Sequence, residues 1–178
     1  MNRYITIING ASLAGAIAFG LFLTSYHVLS LNPFGAIKFF GLAVPALLMY
    51  SAVKKYKEIE GEGFLTYGKG FLTGVMFTFV YASLSAMLVY LYGLIIDGSF
   101  VQFFIDDNLR SLGEAKEQII SLMGEDSYKE MIGEFQNFDL ASLALGDFQS
   151  KTMGGFIIAL IVAAILKQNP PIFDSADE

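Results

Sequence analysis

Residues 70–96, GFLTGVMFTFVYASLSAMLVYLYGLII, run for 27 positions without a charge, between Lys69 and Asp97. At about 1.5 Å per helical residue this stretch reaches roughly 40 Å, enough to cross a hydrocarbon core of about 30 Å with some tilt. It reads as a spanning helix. Every fourth position within it is small: Gly70, Gly74, Thr78, Ala82 and Ala86. A stripe of that kind lets a second helix approach until the backbones are close, which is how helices pack where lipid replaces water.

The rest of the chain has the same texture. Hydrophobic residues make up 54% and charged residues 16%, with a mean hydropathy of +0.56; soluble domains carry about a quarter charged residues. A length of 178 residues suits a single membrane domain, 1–178. The net charge of −6 is concentrated, because eleven of the seventeen acids lie from Asp97 to Asp147. No basic patch suggests nucleic acid as a partner. With no cysteine there are neither disulfides nor thiolate metal sites.

Taken in order, four spans are expected, at about 5–31, 34–53, 70–96 and 152–166. The uncharged run 4–37 is too long for a secretory h-region, so the first span is read as uncleaved. It carries a small-residue stripe of its own, Ser12, Ala16, Gly20 and Thr24, with Ala11 and Gly15 alongside. Asn32 and Pro33 suit the cap and first turn of a second helix. Lys38 is expected to snorkel from that span, and Pro45 to kink it. The polar stretch 54–69 is expected to be a flexible loop around Gly61 and Gly63, with Thr66 capping the third span. The fourth span, between Lys151 and Lys167, repeats the stripe as Gly155, Ala159 and Ala163.

Residues 97–151 are too polar to cross a bilayer. Their apolar positions recur at helical spacing, and Ser111…Glu114 and Ser127…Glu130 match the capping-box pattern, predicting helices that begin near 112 and 128. Gly124 would end the first. The segment is expected to form an extracytoplasmic amphipathic layer over the bundle. Lys54, Lys55, Lys57, Lys69, Arg3 and Lys167 would share one side, which makes it cytoplasmic by the positive-inside rule. Both termini are then in the cytoplasm of a cell whose inner membrane holds the protein. The fold class is all-α, a four-helix membrane bundle. The tail after Phe173 is expected to be disordered.

Few residues offer chemistry. His27, Lys38, Asp97 and Lys151 are expected near one outer membrane edge, where Asp97 and Lys151 would pair across the ends of two spans. His27 has neither a second histidine nor a nearby carboxylate in sequence, so it makes a poor metal site. Asp106-Asp107 and Glu125-Asp126 lack the ligand alternation of a calcium loop and read as helix-terminal charge. No phosphate loop, nucleophile elbow or zinc-protease motif occurs, so no catalytic residue, cofactor or metal is expected.

The entry to the third span, Gly63, Leu65, Thr66, Tyr67, Gly68, Phe71 and Gly74, is similar to a G-x-L-T-[FY]-G-x-x-F-x-x-G pattern. Together with the Lys-rich inner loop and the acidic segment before a short last span, it resembles a bacterial membrane family classed as a domain of unknown function. That resemblance implies a four-span inner-membrane protein and no activity. The residues themselves favour a structural or interaction subunit whose stripes pack against each other, a second copy or another membrane protein, in contact with membrane lipids. The alternative is a small transporter or lipid-handling protein, which needs a polar internal cavity. An enzyme would need an unrecognised site among His27, Asp97, Asp106 and Asp107.

Overall fold

The computed structural model describes residues 4–35 and 41–170, and Lys38, Arg3 and the tail lie outside them. The described residues form seven α-helices: α1 (Ile5–Leu23), α2 (Ala43–Glu60), α3 (Tyr67–Ile95), α4 (Ser99–Glu114), α5 (Lys116–Met123), α6 (Glu125–Gln136) and α7 (Leu140–Leu166). A π-helical turn, Thr24–Val28, extends α1. Among the described residues, three segments are long and apolar enough to cross a membrane: Ile5–Val28, Tyr67–Ile95 and Leu140–Leu166.

Helix α3 is the axis. Its entire stripe, Gly70, Gly74, Thr78, Ala82 and Ala86, is buried. Three of these positions meet the α7 stripe in antiparallel order. Gly70 faces Ala163, Gly74 faces Ala159, and Gly155 faces Thr78. A methyl group built on Gly74 would come within 2.7 Å of Ala159 Cβ, closer than carbon atoms approach. The two stripes are therefore one interface, and the Thr78 hydroxyl that sits in it is satisfied by the Gly74 carbonyl at 3.0 Å.

Helix α1 packs on another side of α3 and uses a different face from the one expected. Ile7, Ala11, Ala14 and Gly15 are buried, and Gly15 lies against Leu84. Ser12 is half-buried, while Ala16 and Gly20 are exposed, with nothing within 4 Å of a methyl on Gly20. The inward row has larger apolar groups at its ends, Ile7 and Phe22, and so makes more dispersion contacts than an all-small row. The stripe Ser12, Ala16, Gly20 consequently turns outward.

Two spans differ in extent from the sequence reading. Helix α7 begins at Leu140, twelve residues before the expected 152, and carries Asp147 and Lys151 inside it. Helix α2 begins at Ala43 and runs on through Lys54, Lys55 and Lys57 to Glu60, so much of the expected polar loop is helical. Pro45 then falls in the first turn, where its missing N–H has no partner to lose, and the expected kink has no cause. Asn32 instead accepts from the Phe34 N–H at 3.0 Å.

Beneath the bundle the chain turns tightly at Gly61 and Gly63. Gly63 has a φ of +88°, and a Cβ on Gly61 would collide with the Phe64 carbonyl, so these glycines build the turn rather than loosen it. Thr66 caps α3 by accepting from the Lys69 N–H. Leu65 and Gln168 exchange two backbone hydrogen bonds of 2.8 and 2.9 Å, and Lys57 Nζ donates to the Gln168 side chain at 2.7 Å. This end of the α3–α7 pair, the start of α3 and the finish of α7, is thereby tied together.

At the opposite end α4, α5 and α6 form a helical layer. Neither serine of the capping-box matches caps a helix: Ser111 lies inside α4, bonding the Asp107 carbonyl, and Ser127 lies inside α6. Gly124, at φ +87°, does divide α5 from α6. Asp107 accepts from Asn32 at 2.9 Å and pairs with Arg110, which fastens the layer to the chain after α1.

Candidate functional site

Lys151 lies eleven residues into α7, about 16 Å below the start of the helix at 1.5 Å per residue. Ser85 lies at a matching depth on α3, ten residues before Ile95. The two meet: Lys151 Nζ donates to Ser85 Oγ at 2.7 Å and to Asp147 Oδ2 at 2.5 Å. Asp147 and Lys151 are one helical turn apart, so the pair forms on a single face of α7. Their side chains are only 9% and 18% exposed. An ion pair at such depth is costly unless each charge neutralises the other, and it is a default candidate for function.

The pair opens onto a cavity of about 740 Å³, within the range of small-molecule sites. Leu21 and Phe22 of α1, Phe34, Leu42 of the turn before α2, and Ile157 of α7 give it apolar walls. Tyr81, Ser150, Asp147 and Lys151 supply the polar side.

Above the cavity sits an aromatic rim. Phe22 packs edge-on against Phe100 at 5.1 Å and Tyr92 at 5.6 Å, and Phe34 lies beside them. The π turn after α1 brings Tyr26 and His27 to this level, and such turns recur where a helix must re-aim side chains. His27 Nε2 shares a hydrogen bond of 2.7 Å with the Tyr92 hydroxyl, and the Tyr26 hydroxyl shares one of 2.8 Å with Ser99. Asp97 accepts from the Ser99 hydroxyl at 2.6 Å and its N–H at 2.8 Å.

These bonds from Ser99, helped by the Tyr26 hydroxyl and the charge of His27, hold the Asp97 carboxyl below the usual carboxylate range. Its anchoring of α4 is therefore complete above that range and lost only as acid reaches the lowered value. Hydrogen exchange at the Ser99 amide tests this: protection should persist at pH 5 in the wild type and be absent in Asp97→Ala. Equal protection in both would show that the carboxylate does not hold the junction.

The four expected edge residues thus separate into two places. His27 and Asp97 share the rim, 70 positions apart in sequence. Lys151 is deeper and pairs with Asp147 and Ser85, not with Asp97, because α7 starts earlier than expected and carries Lys151 below the edge. Lys38 lies outside the described residues. Asp147, Ser85 and Tyr81 were not singled out by the sequence, although the Asp147–Lys151 spacing beside an apolar run is a readable signal. Asp106 bonds Gln102, and Glu125 pairs with Lys129, which also holds its carboxyl below the usual range. No group of three metal-ligating residues occurs among the described residues.

An all-helical chain with three apolar spans around a central α3, as in an integral membrane protein, is the class that these features define. A family model described as "Protein of unknown function (DUF4199)" matches residues 6–168, and the chain belongs to that family. No curated protein and no solved structure matches it.

Proposed function

We propose that this is a membrane protein that holds a hydrophobic small molecule within the bilayer, the lipid-handling reading of the sequence. One observation carries it: the Asp147–Lys151 pair faces a cavity of about 740 Å³ rather than a filled interior. No bond-making constellation accompanies the pair, so binding is the activity assigned. Native mass spectrometry of protein released from nanodiscs tests the proposal. The wild type should retain one tightly held lipid-sized molecule, and Ala18→Phe or Ser150→Phe, which project into the cavity, should lose it while keeping helical content. Retention unchanged in both variants would count against the cavity as the site.

In the same reading α2, with the residues before it, completes a fourth crossing of an inner membrane. Both termini and the Lys-rich turn lie in the cytoplasm, and α4–α6 lie outside. The support is charge: Lys54, Lys55, Lys57, Lys69 and Lys167 sit in short segments at one end of the bundle, whereas the acids crowd the other. A reporter after Glu178 that reads as extracytoplasmic would reverse this.

A second reading, the interaction subunit, has its own observation. Among the described residues Ala16 and Gly20 of the α1 stripe are exposed and Ser12 is half-buried, and the stripe has the spacing that helix pairs in membranes use. If it pairs two copies, Gly20→Leu abolishes self-association in lipid without altering the fold; persistence of the oligomer refutes it.

A further inference from the structure

The charge and hydrogen-bond state of the Asp147–Lys151 pair restricts what the cavity accepts, an inference that rests on the binding role proposed above. Lys151 and Asp147 sum to zero charge at 2.5 Å. An anionic head group would leave the buried site with a net negative charge, and a cationic one with a net positive charge. Either must be carried in a medium that solvates ions poorly. A head without charge leaves the balance intact.

The unspent hydrogen bonds narrow the class further. An ammonium has three N–H donors, and among the described residues Lys151 uses two, to Ser85 and Asp147. Asp147 uses Oδ2, and among the described residues no hydrogen bond reaches Oδ1. One donor and one acceptor therefore lie side by side on α7. A hydroxyl, which donates and accepts at once, matches both; an ether or ester oxygen matches only the donor. Hydroxyls of Thr24, Ser25, Tyr81 and Ser150 also line the cavity, and the walls formed by Leu21, Phe22, Phe34, Leu42 and Ile157 suit hydrocarbon.

We propose that the cavity binds a neutral, hydroxyl-headed lipid, such as a diacylglycerol or a long-chain alcohol, with its hydroxyl between Lys151 Nζ and Asp147 and its chain along α1 and α7. Lys151 and Asp147 are the head-group ligands, and Ser85 is a positioning residue that holds the ammonium from the α3 side.

Photolabelling of the full chain in nanodiscs tests this, with a diazirine-bearing diacylglycerol compared with the phosphatidic acid of the same acyl chains. The diacylglycerol should label peptides of α1 and α7 that line the cavity about tenfold more than the phosphatidic acid, and excess unlabelled diacylglycerol should compete. In Asp147→Leu/Lys151→Met, which removes both polar partners together, the excess should vanish. Equal or stronger cavity labelling by phosphatidic acid would overturn the neutral-head assignment while leaving the cavity as a lipid site. Absence of cavity labelling by either probe would overturn both. An undiminished preference in the double variant would remove the pair from the head-group site. The two-probe comparison uses the wild type, so it stands even if the variant does not fold.

Discussion

Gly155→Leu should prevent α3 and α7 from docking and leave little folded protein in mild detergent. Even a methyl group at Gly155 would overlap the Thr78 side chain, which is fully buried and faces it directly. Thr78 cannot swing aside easily, since its hydroxyl is bonded to the Gly74 carbonyl in its own helix. Overpacking of this kind costs about 1–3 kcal/mol where neighbours can yield, and more where both partners are backbone-close. Gly74→Leu should behave similarly against Ala159. Gly20→Leu, on the outward face of α1, should leave unfolding of the single chain unchanged. The measurement is an SDS titration in mixed micelles; equal midpoints for Gly155→Leu and Gly20→Leu would mean that the α3–α7 contact does not hold the bundle.

Lys151→Met should destabilise by about 3–5 kcal/mol, the usual consequence of stripping one member from a buried ion pair. Asp147 would be left inside the bundle with no cation, and Ser85 would lose its donor. The double variant Asp147→Leu/Lys151→Met should lie within about 1 kcal/mol of the wild type, because replacing the whole pair by apolar groups leaves no orphaned charge. The freed Ser85 hydroxyl can bond back to a carbonyl one turn earlier, as Thr78 already does. The same titration measures both. A single variant within about 1 kcal/mol of wild type would show that the pair is solvated rather than buried.

The sequence made the helices legible where charge was absent and obscured them where charge was present. The run 70–96 became α3 (Tyr67–Ile95) almost residue for residue, since nothing but a long helix buries 27 uncharged positions in lipid. Helix α7 was shortened in that reading because Asp147 and Lys151 looked like residues of a polar loop. Four residues apart on one helix, they cancel each other and permit the helix to continue. The periodic stripes were visible, but periodicity names no partner. On α1 two adjacent small-residue rows offer themselves, and the approach of Leu84 of α3 to Gly15 marks the Ala11–Gly15 side as the inward one. The capping-box serines failed for a local reason: the apolar spacing of α4 starts at Ser99, so Ser111 was already inside a helix. The meeting of His27 and Asp97 at one rim joins residues 70 positions apart, which no local pattern shows, and Pro33 placed the start of the second helix nine residues too early, at 34 instead of Ala43.

Whether ligand occupies the space beside Lys151 can be asked without assuming its identity. A photoreactive benzoylphenylalanine at Leu42, which lines the cavity, should cross-link in cell membranes to a single lipid species of defined mass. The same residue at Leu72, on the exposed face of α3, should yield a mixture that follows bulk membrane composition. One discrete adduct at position 42 and a mixture at position 72 is the result expected of an intramembrane binding site; the same mixture at both would contradict it.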